Sequence, residues 1–243
     1  MNIRIISAVT TCLALGTTST MAAEKLTGDV GMAIYHTPSI AKTHDTGAAA
    51  LPYLYADWGK FYARVDTFGY KLSSMGAGHL ELATRISLEG YKPASAGIQR
   101  RGNPHPIGLG TFQETPVGAF FVYAMHDTAS GGHLLEATYA AEFKAGPITL
   151  YPQLSVERRS KAYVQHLYGI SAGEAAASGL YIYTARASNV PAIALAADYP
   201  LGGDWGLTAQ VRKKWLDSAI TSSPLVGRST QISGLLAVTK TFK

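Results

Sequence analysis

The stretch HLELATRISLEG, His79–Gly90, alternates with a period of two. Leu80, Leu82, Thr84, Ile86 and Leu88 fall on one side; His79, Glu81, Arg85, Ser87 and Glu89 fall on the other. Side chains of an extended strand point to opposite faces in turn, so this is a strand with one apolar and one charged face. Which face meets the interior decides the fold. A soluble sheet hides the apolar face, whereas a membrane barrel turns it to lipid.

Working outward, strand-length segments recur at 26–35, 49–58, 60–71, 79–90, 116–125, 133–143, 147–157, 163–170, 180–187, 190–199, 205–215 and 231–242. Turn residues separate them, as in Asp57-Trp58-Gly59-Lys60, Ser130-Gly131-Gly132, Lys144-Ala145-Gly146 and Gly202-Gly203-Asp204. The pattern gives about twelve strands, with ten as the alternative, in one domain. Most segments have the nine to twelve residues that a tilted strand needs to cross a bilayer. Trp58, Tyr91, Tyr168, Tyr199, Trp205 and Trp215 fall near segment ends, where an interfacial girdle would place them, and Phe242 closes the last strand. A sandwich or lipocalin-type barrel alternates as well, so pattern alone leaves both solvents open. Ser171-Ala-Gly-Glu174 followed by Ala175–Gly179 predicts the one helical piece, with Ser171 and Glu174 as a capping box and Gly179 as its stop.

Composition removes other classes. Mean hydropathy is +0.07, and no apolar run reaches the length of a membrane-spanning helix. Residues 1–23 read as a signal peptide: Arg4, a short apolar run from Ile5 to Leu15, then small residues at Thr20-Met21-Ala22-Ala23. The single cysteine, Cys12, lies inside it, so residues 24–243 are expected to fold without disulfides. Losing Arg4 leaves 20 basic against 16 acidic residues. The basic residues are scattered, and the pairs Arg100-Arg101, Arg158-Arg159 and Lys213-Lys214 read as solvated charges rather than a nucleic-acid footprint.

No catalytic constellation stands out. The histidines are His36, His44, His79, His105, His126, His133 and His166. None has the helical i,i+4 pairing or tight clustering of a zinc site, although His126 and His133 could approach each other across a hairpin. There is no G-x-S-x-G elbow, and Gly108-Leu109-Gly110 lacks the following lysine-bearing helix of a phosphate loop. The reading is a non-enzyme with no cofactor and no metal.

The C-terminal half carries LYGISAGEAAASGLYIYTA (Leu167–Ala185), DYPLGGDWGL (Asp198–Leu207) and KKWLDSAITSSPLVG (Lys213–Gly227), and in that order it resembles the MipA/OmpV family. Weaker similarity continues through Leu51–Leu72 and His126–Phe143, while Ile98–Gly110 and the trailing Lys243 depart from the pattern. The resemblance implies an antiparallel up-and-down outer-membrane β-barrel of a Gram-negative cell. It also implies a scaffold whose partners are a lytic transglycosylase and a murein synthase, beside the lipids that surround it.

On such a barrel the apolar face of His79–Gly90 meets lipid. Arg64, Asp66, Glu81, Arg85, Glu89, Glu136, Glu142, Glu157 and Arg212 would then line the interior, paired or hydrated. Interlocked pairs would close the barrel; a wider arrangement would make a small polar or ionic pore. With chain ends and even-numbered connectors on the periplasmic side, two long connectors fall there, Tyr91–Thr115 and Ser171–Gly179. Arg100, Arg101, His105, Ser171 and Glu174 are their candidate partner-binding residues.

Overall fold

The computed structural model describes residues 24–43 and 47–243; the expected signal peptide and His44 lie outside them. Thirteen strands form: β1 (Leu26–His36), β2 (Ala48–Trp58), β3 (Phe61–Arg64), β4 (Thr67–Met75), β5 (Gly78–Arg85), β6 (Pro106–Thr115), β7 (Gly118–Asp127), β8 (Gly132–Ala141), β9 (Phe143–Ala145), β10 (Ile148–Arg159), β11 (Ser188–Gly202), β12 (Trp205–Trp215) and β13 (Thr230–Phe242). Each pairs antiparallel with its neighbours, and β10–β11 and β13–β1 pairing closes the sheet on itself. The result is a barrel of twelve strands, with the short β9 extending the line of β8 along β10. Closure satisfies edges that an open sheet would leave bare in a bilayer.

The two faces of the opening stretch fall as alternation demands. Leu82 is exposed on the outer wall, while Glu81 and Ala83 are buried inside; the strand expected to reach Gly90 ends at Arg85, and Ile86 and Leu88, also exposed, lie just beyond it. The same inversion runs round the barrel, with Met32, Leu109, Leu135, Leu154, Val211 and Leu236 exposed outward. In water this much apolar surface would be a liability; against lipid it is the solvent match.

Twelve strands agrees with the expected number, but through compensating differences. The segment 60–71 is two strands, because the chain reverses at Val65-Asp66, with Val65 at φ 63°. Pro106–Thr115, expected within a loop, is β6. The segment 163–170 lies mostly in a helix, α1 (Lys161–Tyr168), and 180–187 is irregular apart from one bridge between Ile170 and Tyr183. In α1, Ser160 caps the start by accepting from the Tyr163 N–H, and Tyr163, Val164, Leu167 and Tyr168 form one buried side. The expected capped helix is present as α2 (Ala172–Ser178), with both hydrogen bonds of the capping box and Gly179 at φ 73°. A four-residue helix, α3 (Ser218–Thr221), follows β12.

These changes move the long connections. Both chain ends and the turns at 59–60, 76–77, 116–117, 146–147 and 203–204 lie at one end of the barrel. Residues 37–43 and the connections 86–105, 160–187 and 216–229 lie at the other. The expectation that the Tyr91–Thr115 and Ser171–Gly179 connectors share a side with the termini is therefore overturned. The extra reversal at Val65-Asp66 makes the strand before residue 86 the fifth rather than the fourth.

The long connections fold inward. Tyr163, Val164, Leu167 and Tyr168 of α1 pack with Ile220 of α3, Ile40, Tyr91 and Val226 against the inward residues Tyr123, Met125, Leu134 and Val190. Tyr91 and Tyr168 stack at 6.4 Å inside this core. They are not girdle residues. The aromatic belt is concentrated instead at the terminus end, where Trp58, Phe61, Tyr199, Trp205 and Phe242 face outward.

Candidate functional site

Beneath the loop core, inward positions of four strands bring opposite charges together. Glu136 of β8 and Glu157 of β10 are direct cross-strand partners, an arrangement of like charges that needs compensation. Arg85 of β5 reaches across to Glu136 with both terminal nitrogens, at 2.6 and 3.3 Å. Glu157 is met by Arg159 at 2.7 Å, by Lys214 at 2.6 Å and by Arg212 at 3.5 Å. Arg159 also holds Glu89 at 2.6 Å, and the Tyr163 hydroxyl donates to the other Glu89 oxygen at 3.1 Å. Glu157 and Arg159 are each 3 % exposed. Buried charges are tolerated only when each has partners and hydrogen bonds, and this cluster provides both.

A smaller group lies further along the same wall. Glu81 meets the His79 imidazole at 2.7 Å, with Tyr62 and Tyr123 beside it. Gly110 gives Tyr123 its room, since a Cβ there would sit 2.3 Å from the ring. Arg64 points inward, lies 4.7 Å over the Tyr55 ring and bonds both oxygens of Asp57 at 2.9 and 3.0 Å.

Seven of the nine residues assigned to the interior by alternation are thus on its inner face: Arg64, Glu81, Arg85, Glu89, Glu136, Glu157 and Arg212. Two are not. Asp66 sits in the turn between β3 and β4, largely exposed, with its carboxylate 4.0 Å from Arg85. Glu142 lies at the step between β8 and β9, exposed. Arg159 and Lys214 join them on Glu157, against the expectation that Arg158-Arg159 and Lys213-Lys214 are solvated pairs. Adjacent residues of a strand face opposite ways, so one member of each pair had to point inward.

The residues proposed for partner binding are mostly spent within the chain. Arg101 meets Glu174 at 3.0 Å and the Gly169 carbonyl at 2.6 Å, while Glu174 also accepts from the Gln99 and Ser171 N–H groups. Burial opposes ionisation of Glu174, but those N–H donors and the Arg101 guanidinium outweigh it and hold its carboxyl below the usual range. Ser171 caps α2. Arg101, Ser171 and Glu174 therefore fasten the 86–105 connection to the 160–187 connection; Arg100 and His105 remain exposed. At the opposite, terminus-side rim lies a pocket of about 290 Å³, lined by Asp29, Asp198, Thr208, Thr239 and Thr241 among others. No group of three or more metal-ligating side chains occurs among the described residues.

Comparison with known proteins gives this architecture a family. The profile described as MltA-interacting protein MipA matches residues 30–242. The putative outer membrane protein YiaT of Escherichia coli K12 is 26% identical over 222 residues, covering 88% of this chain and 90% of that protein. The MltA-interacting protein of the same strain is 26% identical over 210 residues, covering 83% and 84%. Among solved structures, the NanC porin aligns with 88% of this chain and 99% of its own at 11% identity, with a TM-score of 0.42. The chain, a closed antiparallel barrel of the outer membrane, belongs to the MltA-interacting protein MipA family.

Proposed function

We propose that this protein is a non-catalytic barrel, closed by its own loops, that holds a murein-processing enzyme at the periplasmic face of the outer membrane. One relative's name, MltA-interacting protein, supports the partner class. The observation that carries the reading is the loop-side mouth, where the ion-pair cluster spans the lumen and α1 packs on top of it. A lumen whose charges are paired with one another leaves few of them free to guide a passing ion.

Short turns face the periplasm and long loops face outward in barrels of this kind. The docking surface would then be the terminus-side rim, including Lys60 and Asp204, rather than Arg100, Arg101, His105, Ser171 or Glu174. Pull-down of murein enzymes from membrane extract tests this directly. Deleting 99–106 is expected to leave capture unchanged, and a bulky insertion between Gly203 and Asp204 to abolish it. The reverse result would place the surface at the loop end.

The terminus-side pocket supports a second reading, a pore for small polar or ionic solutes whose loops swing away. Planar-bilayer recordings separate the two. Stable single-channel steps that change on Arg85→Glu would favour the pore, and a silent bilayer the closed platform.

A further inference from the structure

The outer wall carries a second charged constellation, back to back with the ion-pair cluster. His126 of β7 and His133 of β8 are direct cross-strand partners, with rings 5.2 Å apart and both exposed. On β8, two residues from His133 on the same face, Leu135 pairs with Arg158 of β10. Arg158, also exposed, pairs in turn with Asn189 of β11 and donates to its Oδ1 at 3.2 Å. Two imidazoles thus face each other across β7 and β8, and a guanidinium stands diagonal to His133 on β10, each one residue from the loop-side end of its strand.

What surrounds them is equally informative. Two residues nearer the termini, the same outward faces present Ala124, Leu135 and Val156, with Val122 beyond; Leu135, Val156 and Val122 are 48%, 44% and 45% exposed. The carboxylates next in sequence turn the other way. Asp127 is buried, held by the His105 N–H and the Ser130 N–H and hydroxyl. Glu157 is occupied by Arg159 and Lys214. The strip therefore presents hydrogen-bond donors and no acid, directly bordering wall that only lipid would cover.

We propose that His126, His133 and Arg158 form a binding site for the phosphate of an anionic lipid headgroup in the outer leaflet, its acyl chains lying along Val122, Leu135 and Val156. The inference rests on the barrel's orientation in the membrane and not on the scaffold reading. Guanidinium groups match phosphate oxygens with paired N–H donors, and each imidazole adds a further donor. Asn189 steadies Arg158 on one nitrogen and leaves the others to the ligand.

The test uses the full chain in detergent, incubated with a bisphosphorylated lipid A, its dephosphorylated form and phosphatidylethanolamine, with bound lipid counted by native mass spectrometry. The wild type is expected to retain the bisphosphorylated lipid preferentially. Arg158→Gln is expected to weaken that retention about fivefold, and adding His126→Gln and His133→Gln to weaken it further. Phosphatidylethanolamine binding should not change. Heat-modifiable electrophoretic mobility reports whether each variant is a closed barrel; if the triple variant is not, the Arg158→Gln result decides. Equal retention of phosphorylated and dephosphorylated lipid, or unchanged retention in a folded variant, would overturn the proposal. So would displacement by inorganic phosphate alone at concentrations matching the lipid.

Discussion

The loop-side and terminus-side halves of the lumen are built by the same strands and solve opposite problems. The loop half is filled: Arg85, Glu136, Glu157 and Arg159 lock together and α1 closes over them. The terminus half is lined by threonines, Thr208, Thr239 and Thr241, with the carboxylates of Asp29 and Asp198 among them, and it leaves a pocket. Outside, the halves differ again, with aromatic residues round the termini and imidazoles and a guanidinium near the loops. One alternating pattern therefore carries different chemistry at its two ends.

The sharpest way to break this contrast is Glu157→Gln, which leaves Arg159, Arg212 and Lys214 facing no carboxylate at that position. Unpairing a buried charge costs about 3–5 kcal/mol, and urea titration of the barrel in lipid vesicles should read a loss of that size. Next comes the wall itself. Leu82→Arg on the lipid face should cost about 2–4 kcal/mol, against a smaller loss for Gln210→Arg on the inner face of the terminus half. Equal losses in the same titration would mean that the faces are wrongly assigned.

A third change sharpens the loop half. Arg101→Ala removes a charge-assisted contact to Glu174, worth about 1.5–3 kcal/mol, and should speed protease cleavage within 86–105. The pH dependence has a definite sign. Glu174 is held below its ordinary value, so its contribution is present above the unfolded carboxylate pKa and is lost as pH falls through the lower folded one. The protection of the Gln99 amide, corrected for its intrinsic exchange rate, should fall on acidification, and Glu174→Gln should remove that dependence. The smallest effect belongs to Arg100→Ala, an exposed side chain whose loss should stay within about 0.5 kcal/mol.

Much of the wall was legible because period-two alternation reports a strand whatever solvent it faces. The exceptions have physical causes. Val65-Asp66 makes a reversal without glycine or proline, and a β-branched residue at positive φ leaves no trace in composition. β6 hid because its inward positions Gly108 and Gly110 carry no side chain, so PIGLG shows no alternation. The helix α1 resembled a strand because YVQHLYGI is apolar at positions that serve either period, and only its buried set at 163, 164, 167 and 168 is helical. Within the site, counting charges found the ladder but not Arg159 and Lys214. Fastening roles such as that of Arg101 depend on contacts between connections far apart in sequence, which no local pattern encodes.

The pairing of Gly28 with Phe242 and of His36 with Gly234 joins the first strand to the last. That seam is the most non-local strand pairing among the described residues, and it cannot begin to form until the final strand is available. Folding should accordingly be slow, governed by the entropy of closing one very large loop. Until the seam zips, β1 and β13 each present a bare edge and the whole outer wall lies in water. The unclosed chain is therefore a species prone to aggregation.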